Sequence, residues 1–316
     1  MKIGILANRS AGSAASLGSV MDKIKGAWGA HRLIGVSEYG GDFLEDPAPA
    51  PPRLPYVARL EAALSAIAEK EPDFILCLGG DGTAAYAAEY LLKNQLDIPL
   101  SGLGLGTANV GPIVHLKADD IPPAESLAVR KLGAVRATDM QGRHIAYGFN
   151  DLVLGNTFLG TAQGRTRTFS AGSMIKEGML KEEEPLKALS EKEAVFSLNG
   201  KRLTPPPFKP AQLAASPLEE TKQFYGRAVT GLLCYTPGAP LQGAVYLASH
   251  PLISAEESEE GFSEWMAGAQ ILLPQGSELS IENLSPDICV IADGNPYGIP
   301  GGSVKIQYIP ELLRVL

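Results

Sequence analysis

Apolar and polar positions follow two different rhythms along this chain, and the change falls near residue 133. In the first third, short apolar runs (Lys2 to Ala7, Asp73 to Leu78, Ile98 to Leu103) alternate with segments whose apolar residues recur every three or four positions. Leu17, Val20, Met21, Ile24, Ala27 and Trp28 predict an amphipathic helix over 14–29. Leu60, Ala63, Leu64 and Ile67 predict another, ended by Pro72, and a third is expected over about 84–93. Arg32 to Ser37 reads as a further strand, and the proline-rich Asp46 to Pro55 as an exposed loop. Strands alternating with helices predict a parallel sheet, covered by helices and wound with right-handed crossovers.

Beyond residue 133 helical spacing fades. Short runs rich in β-branched and aromatic residues take over at 144–154, 193–198, 228–235, 243–248, 269–274, 277–283, 288–292 and 303–308. Turn signals such as Asn199-Gly200 and Pro274-Gln275-Gly276 separate them, which predicts an all-β, sandwich-like domain. The charged segment 176–192 is expected to be a helix or a mobile excursion. A chain of 316 residues exceeds what one core usually serves, so the fold class expected is an α/β domain with a parallel sheet over 1–132 and a β-sandwich-like domain over 133–302.

Composition narrows the function classes. A net charge of −8 leaves no basic excess to neutralise phosphate backbones, so a general nucleic-acid binder is not expected, although a small phosphorylated ligand held by a few donors is compatible. Cys77, Cys234 and Cys289 lie far apart in apolar surroundings and imply neither a disulfide framework nor a metal site. The four histidines, His31, His115, His144 and His250, show no ligand spacing, so no protein metal site is expected. The apolar run at the N-terminus is too short for a signal peptide, and no stretch reaches the ~18 apolar residues of a membrane span. A cytoplasmic protein without a membrane span is the expectation.

One segment carries the chemistry. Phe74-Ile75-Leu76-Cys77-Leu78 is an apolar strand that runs into Gly79-Gly80-Asp81-Gly82-Thr83 and then a helix. Glycines permit positive φ and close approach of backbone to a ligand. The start of the helix offers N–H groups and a positive dipole end to phosphate oxygens. An aspartate among such donors suits a site that must also accept a proton from an attacking hydroxyl or hold Mg²⁺ against the phosphates. Asp81 is the candidate for that role, with a plain turn in which Asp81 caps the helix as the competing reading. Gly102-Leu103-Gly104-Leu105-Gly106 departs from the dinucleotide fingerprint and reads either as a turn lining the same site or as a structural turn. Arg165 and Arg167 share one face of a strand and suit phosphate, but solvated arginines are the simpler reading.

Gly79-Gly80-Asp81-Gly82-Thr83 after an apolar strand resembles the signature of NAD kinases, diacylglycerol kinases and sphingoid-base kinases. Asn8-Arg9-Ser10-Ala11-Gly12 is similar to the Asn-Pro-x-Ser-Gly turn of the lipid kinases, with Arg9 in place of proline. Ser101 to Asn109 occupies the place of the second glycine-rich turn, and Phe149-Asn150-Asp151-Leu152-Val153 looks like the segment that binds the acceptor sugar in NAD kinases. The resemblance is strongest at 1–12, 73–112, 146–154 and 268–316. It implies an ATP-dependent, Mg²⁺-assisted kinase whose last strand, about 303–316, returns to the first domain.

What the resemblance implies about residues is specific. Asn8, Ser10, Gly79, Gly80, Gly82, Thr83, Gly104, Gly106, Thr107 and Asn109 would hold the nucleotide, Asp81 would be catalytic, and Asn150 and Asp151 would meet the acceptor. The NAD kinase segment Thr-Pro-Thr-Gly-Ser-Thr-Ala-Tyr has only a partial counterpart, Tyr235-Thr236-Pro237-Gly238-Ala239-Pro240. A divergent member, like the AcoX-type NAD-kinase-like proteins, therefore fits, acting on NAD or another hydroxyl compound. Relatives are commonly dimers or tetramers, so a homo-oligomer is implied by analogy. A lipid-type kinase and a non-catalytic nucleotide-binding module remain alternatives, with a dehydrogenase a poor third, and the donor is left as ATP or polyphosphate.

Overall fold

The computed structural model describes residues 1–8, 14–105, 111–162, 165–181, 187–218, 242–252 and 265–316. They form two compact units, Met1–Leu132 with Glu311–Leu316, and Gly133–Pro310.

The first unit is α/β. Its elements run β1 (Lys2–Ala7), α1 (Ala14–Trp28), β2 (Arg32–Gly35), α2 (Tyr56–Ala68), β3 (Phe74–Gly79), α3 (Asp81–Lys93), β4 (Leu100–Gly104) and β5 (Val114–Leu116). The strands lie in the order β2-β1-β3-β4, all parallel, with Ile5 opposite Leu76 and Gly79 opposite Gly104. β5 pairs parallel with β4, and Val315 near the chain end pairs with Leu100. Strand period 2 sends Ile3 and Ile5 to the face where α1 buries Leu17, Met21, Ile24 and Trp28. Trp28 is fully buried, edge-on to Phe74 at 5.7 Å, and its Nε1 donates to the Pro122 carbonyl at 2.8 Å. Truncating such a residue costs about 3–5 kcal/mol. Gly4, one residue out of step, lies under Ile67 of α2 on the other face.

The second unit is dominated by antiparallel sheet. Its strands are β6 (Arg130–Thr138, which begins in the first unit), β7 (His144–Gly148), β8 (Leu152–Gly155), β9 (Thr157–Ala162) and β10 (Arg165–Ser170), followed by a short helix α4 (Ala171–Glu177). Then come β11 (Val195–Leu198), β12 (Lys201–Arg202), β13 (Gln212–Pro217), β14 (Gln242–Ala248), β15 (Gly268–Pro274), β16 (Glu278–Glu282), β17 (Cys289–Ala292), β18 (Asn295–Gly298) and β19 (Val304–Val315). Six strands pair in the order β15-β14-β13-β8-β17-β18. β12, β11, β16 and the first part of β19 pair in an antiparallel ladder. Leu154, Leu213, Val245 and Val290 meet Phe196, Ile281 and Ile306 in one core, the arrangement of a sandwich. The β9–β10 hairpin and α4 cover the outer side of the six-stranded sheet through Phe158, Phe169 and Ala171.

The two fold classes agree with the pattern read from the sequence; several element limits do not. α3 begins at Asp81 rather than 84, because Gly80 is extended (φ −108°) and already serves as the N-cap residue. Ser101 to Gly104 belongs to β4, so the second glycine-rich segment starts as strand and not as turn. The single run 144–154 is two strands broken at Phe149-Asn150-Asp151. In the 176–192 segment only the end of α4, up to Glu177, is regular among the described residues. The run at 228–235 lies outside the described residues.

Candidate functional site

The carboxyl ends of β1, β3 and β4 lie side by side in the first unit. The main-chain N–H of Asn8 donates to the Leu78 carbonyl at 2.9 Å, and that of Leu105 to the Gly79 carbonyl at 3.0 Å. These ladder-like bonds carry Asn8, Gly79 and Gly104 to one edge of the sheet, where open α/β sheets place ligands. β3 turns there through Gly80 straight into α3, putting Asp81 in the first helical residue and Thr83 one position from the next turn. Buried Ala84, Ala85, Ala87 and Ala88 let α3 lie close to the sheet.

Side chains tie this edge together. Asn8 Nδ2 donates to Thr83 Oγ1 at 2.8 Å, bridging 75 residues of sequence, and reaches the Tyr56 hydroxyl at 3.3 Å. Space beside Gly79 is tight: a Cβ there would stand 3.3 Å from Thr83 Oγ1 and 3.4 Å from Asn8 Cβ. None of Gly79, Gly80 and Gly82 has positive φ, so no left-handed turn is what requires them. Gly111 closes the other side, where a Cβ would lie 2.7 Å from Asp81 Oδ1. The carboxylate of Asp81 is thus seated between the start of α3 and the Gly111 backbone.

Tyr56, the first residue of α2, contributes the aromatic part. Burial pushes its phenol above the ordinary value, against a hydrogen bond with Thr83 that pulls it down. Tyr86 stands edge-on to it at 6.2 Å, and burial pushes the Tyr86 phenol up to about 12. Both hydroxyls are therefore protonated, neutral groups at physiological pH.

In the second unit, Asn150 and Asp151 occupy the break between β7 and β8. Asn150 is 4% exposed, and its Nδ2 donates to Asp151 Oδ2 at 3.0 Å. The turn is held by Asp293, which is 8% exposed and lies just after β17. Its Oδ2 accepts from Phe149 N at 2.9 Å, and its Oδ1 from Asn150 N at 2.8 Å and Asp151 N at 3.0 Å. In return Asp293 N donates to the Asp151 carbonyl at 3.1 Å. A carboxylate that accepts three N–H groups makes the strong, charge-assisted kind of hydrogen bond.

Of the residues singled out from sequence, Asn8, Gly79, Gly80, Asp81, Gly82, Thr83 and Gly104 come together at one sheet edge. Asn150 and Asp151 are neighbours in their own turn. Ser10, Gly106, Thr107 and Asn109 lie outside the described residues, as do Tyr235 to Pro240. Sequence reasoning missed Tyr56 and Gly111. The Asp293-Gly294 pair does make a turn, both residues with positive φ (47° and 82°), but the aspartate also does the holding. Among the described residues no three His, Cys, Asp or Glu side chains gather closely enough to cage a metal, and no helix is long and apolar enough to cross a membrane.

The chain matches the diacylglycerol kinase catalytic domain family over residues 54–140, the stretch that contains the Gly79–Thr83 turn. It is 24% identical over 250 residues to an uncharacterized protein of Archaeoglobus fulgidus, spanning 77% of this chain and 73% of that protein. It is 31% identical over 96 residues to an NAD kinase of Borreliella burgdorferi, 27% of this chain and 34% of the kinase. Among solved structures, yeast NADH kinase complexed with NADH aligns with a TM-score of 0.57 at 12% identity, covering 100% of this chain and 82% of that one. A diacylglycerol kinase from Bacillus anthracis aligns at 0.52 and 12% identity, covering 99% and 96%. Identities this low bear on fold alone, and the fold is that of these kinases. The chain fits the NAD kinase/diacylglycerol kinase-like superfamily.

Proposed function

We propose that this protein is a phosphotransferase that moves the γ-phosphoryl group of ATP to a hydroxyl of a small molecule, NAD(H) or a related nucleotide-like acceptor. The observation that carries the reading is the seat of Asp81: an acid in the first turn of a helix, at the carboxyl end of a parallel strand, held beside the Asn8–Thr83 pair and against Gly111. Phosphate oxygens suit that helix start, and the glycines leave room for them. Asn8 and Thr83, each fixed by the other, orient the phosphates, and Asp81 accepts the proton of the attacking hydroxyl. In phosphoryl transfer the protein supplies mainly positioning and charge stabilisation, so one displaced group is expensive in rate.

Mg²⁺ belongs to the proposal as a shared ion. A single carboxylate fits an ion bound mostly by substrate phosphates and water, and does not fit an all-protein cage. Asp81 is the residue that would hold it, and when bound the ion neutralises charge on the phosphate oxygens. Asn150 and Asp151 are assigned to the acceptor, since their carbonyl and carboxylate oxygens suit donors such as sugar hydroxyls. The similarity to an NAD kinase and to a yeast NADH kinase supports the nucleotide acceptor. The match to the diacylglycerol kinase catalytic domain favours a second reading, a lipid alcohol as acceptor.

The test is transfer of labelled phosphate from ATP with Mg²⁺ to NAD, NADH and micellar long-chain alcohols, for wild type and Asp81→Asn. The expected result is product with one acceptor class in wild type, and a loss of at least a hundredfold in Asp81→Asn with an unchanged melting temperature. Wild-type turnover in Asp81→Asn would remove Asp81 from the chemistry. Nucleotide binding with no product from any acceptor would leave a binding module instead of an enzyme.

A further inference from the structure

We propose that Tyr56 is the platform on which the base of the bound nucleotide stacks, an inference that rests on the kinase function proposed above. One end of its ring is pinned, for the hydroxyl meets Asn8 Nδ2 at 3.3 Å and bonds with the Thr83 side chain. Those are the two residues assigned to the phosphates. The Tyr86 ring packs against it in a T-shaped contact, at 6.2 Å and 69°, which restrains the ring further. Held at two points, Tyr56 as a residue nevertheless remains 46% exposed.

The neighbours make this exposure unusual. Leu54 and Val57 are 44% and 40% exposed, so three large apolar side chains within four residues lie open to solvent, and one of them, Tyr56, touches the part-buried Asn8–Thr83 pair. Single exposed apolar residues are ordinary on protein surfaces. A cluster that adjoins a phosphate-type site is matched by a ligand with an anionic end and a flat apolar end, and a nucleoside triphosphate has both. An acyl chain would cover Leu54 and Val57, yet it has no use for a restrained flat ring. A ring already restrained loses little rotamer freedom when a base lands on it, which favours binding.

Stacking on Tyr56 predicts affinity for the base separately from affinity for the phosphates. Isothermal titration of the 316-residue chain with ATP and with inorganic tripolyphosphate, each with Mg²⁺, reads the two apart. Wild type is expected to bind ATP more tightly than tripolyphosphate. Tyr56→Leu keeps apolar bulk without a flat face, and it should shrink that preference about tenfold, the low end of what one aromatic–base stack contributes. Tyr56→Phe, which keeps the ring and loses the hydroxyl, should retain the preference. Thermal melting of each variant checks that it is folded, and the wild-type comparison of the two ligands needs no variant at all.

An unchanged preference in Tyr56→Leu, or an equal weakening of both ligands, would overturn the proposal, the second because Tyr56 would then serve only Asn8 and Thr83. Equal affinity of wild type for ATP and tripolyphosphate would overturn stacking while leaving the phosphate site intact. No affinity of wild type for either ligand would remove the kinase function and the stacking role together.

Discussion

Asp293 Oδ1 accepts the main-chain N–H of Asn150 at 2.8 Å across 143 residues of sequence. The same carboxylate takes the N–H groups of Phe149 and Asp151, so the whole β7–β8 break hangs from one side chain. Removing it strands three N–H groups, two of them in bonds that are buried at both ends, and each stranded group costs about 1–3 kcal/mol. Asp293→Ala is expected to lower unfolding stability by about 3 kcal/mol or more in urea titrations. Asp293→Asn retains a single carbonyl oxygen and should fall between Ala and wild type. With the acceptor assigned to Asn150 and Asp151, KM for the acceptor should rise in Asp293→Asn while affinity for ATP stays put. Equal stability of all three proteins would show that other contacts hold the turn.

That relationship also marks where sequence reading ran out. The α1 face of Leu17, Met21, Ile24 and Trp28 was legible because one-sided burial writes a 3.6-residue period into the sequence, and all four are buried together. The Gly79–Thr83 turn was legible because a glycine cluster directly after an apolar strand and before a helix is a local pattern, and Gly79 has little room for a side chain. β13 was not legible: Gln212-Leu213-Ala214-Ala215-Ser216-Pro217 is buried at every position, so no alternation shows, and it contains no β-branched residue. β12 has two residues, both exposed, too few for any pattern. Asp293 and Tyr56 owe their roles to partners 143 and 48 residues away, and no local period records a partner.

Stability should depend on pH through His115 in β5. Burial holds its pKa below the ordinary histidine value; a hydrogen bond with the Ile113 carbonyl works the other way, and Arg130 adds to the lowering. Near pH 6.5 and below, the unfolded chain takes up a proton that the folded protein resists. The folded state therefore loses stability as pH falls from the unfolded histidine value toward the lower folded one, and keeps it above that window. Melting temperatures between pH 7.5 and 5.5 should drop more for wild type than for His115→Gln, which cannot titrate. Parallel pH profiles for the two proteins would assign the dependence to other groups.

Gly111 offers a way to move Asp81 without altering it. A methyl group at residue 111 would lie 2.7 Å from Asp81 Oδ1 and 3.0 Å from Cγ, too close for both to stay. The yielding partner is the carboxylate, the far end of a side chain rather than backbone, so Gly111→Ala should change unfolding stability by no more than about 1 kcal/mol. Phosphoryl transfer should suffer far more, since a reacting group displaced by about 1 Å loses up to about a hundredfold in rate. The drop should appear in kcat, with ATP affinity nearly unchanged. In the double variant Gly111→Ala with Asp81→Asn, the glycine change should add nothing further, because the group it displaces no longer works as a base. Full kcat in Gly111→Ala, or independent losses in the double variant, would mean that the placement of Asp81 against the Gly111 backbone has no part in catalysis.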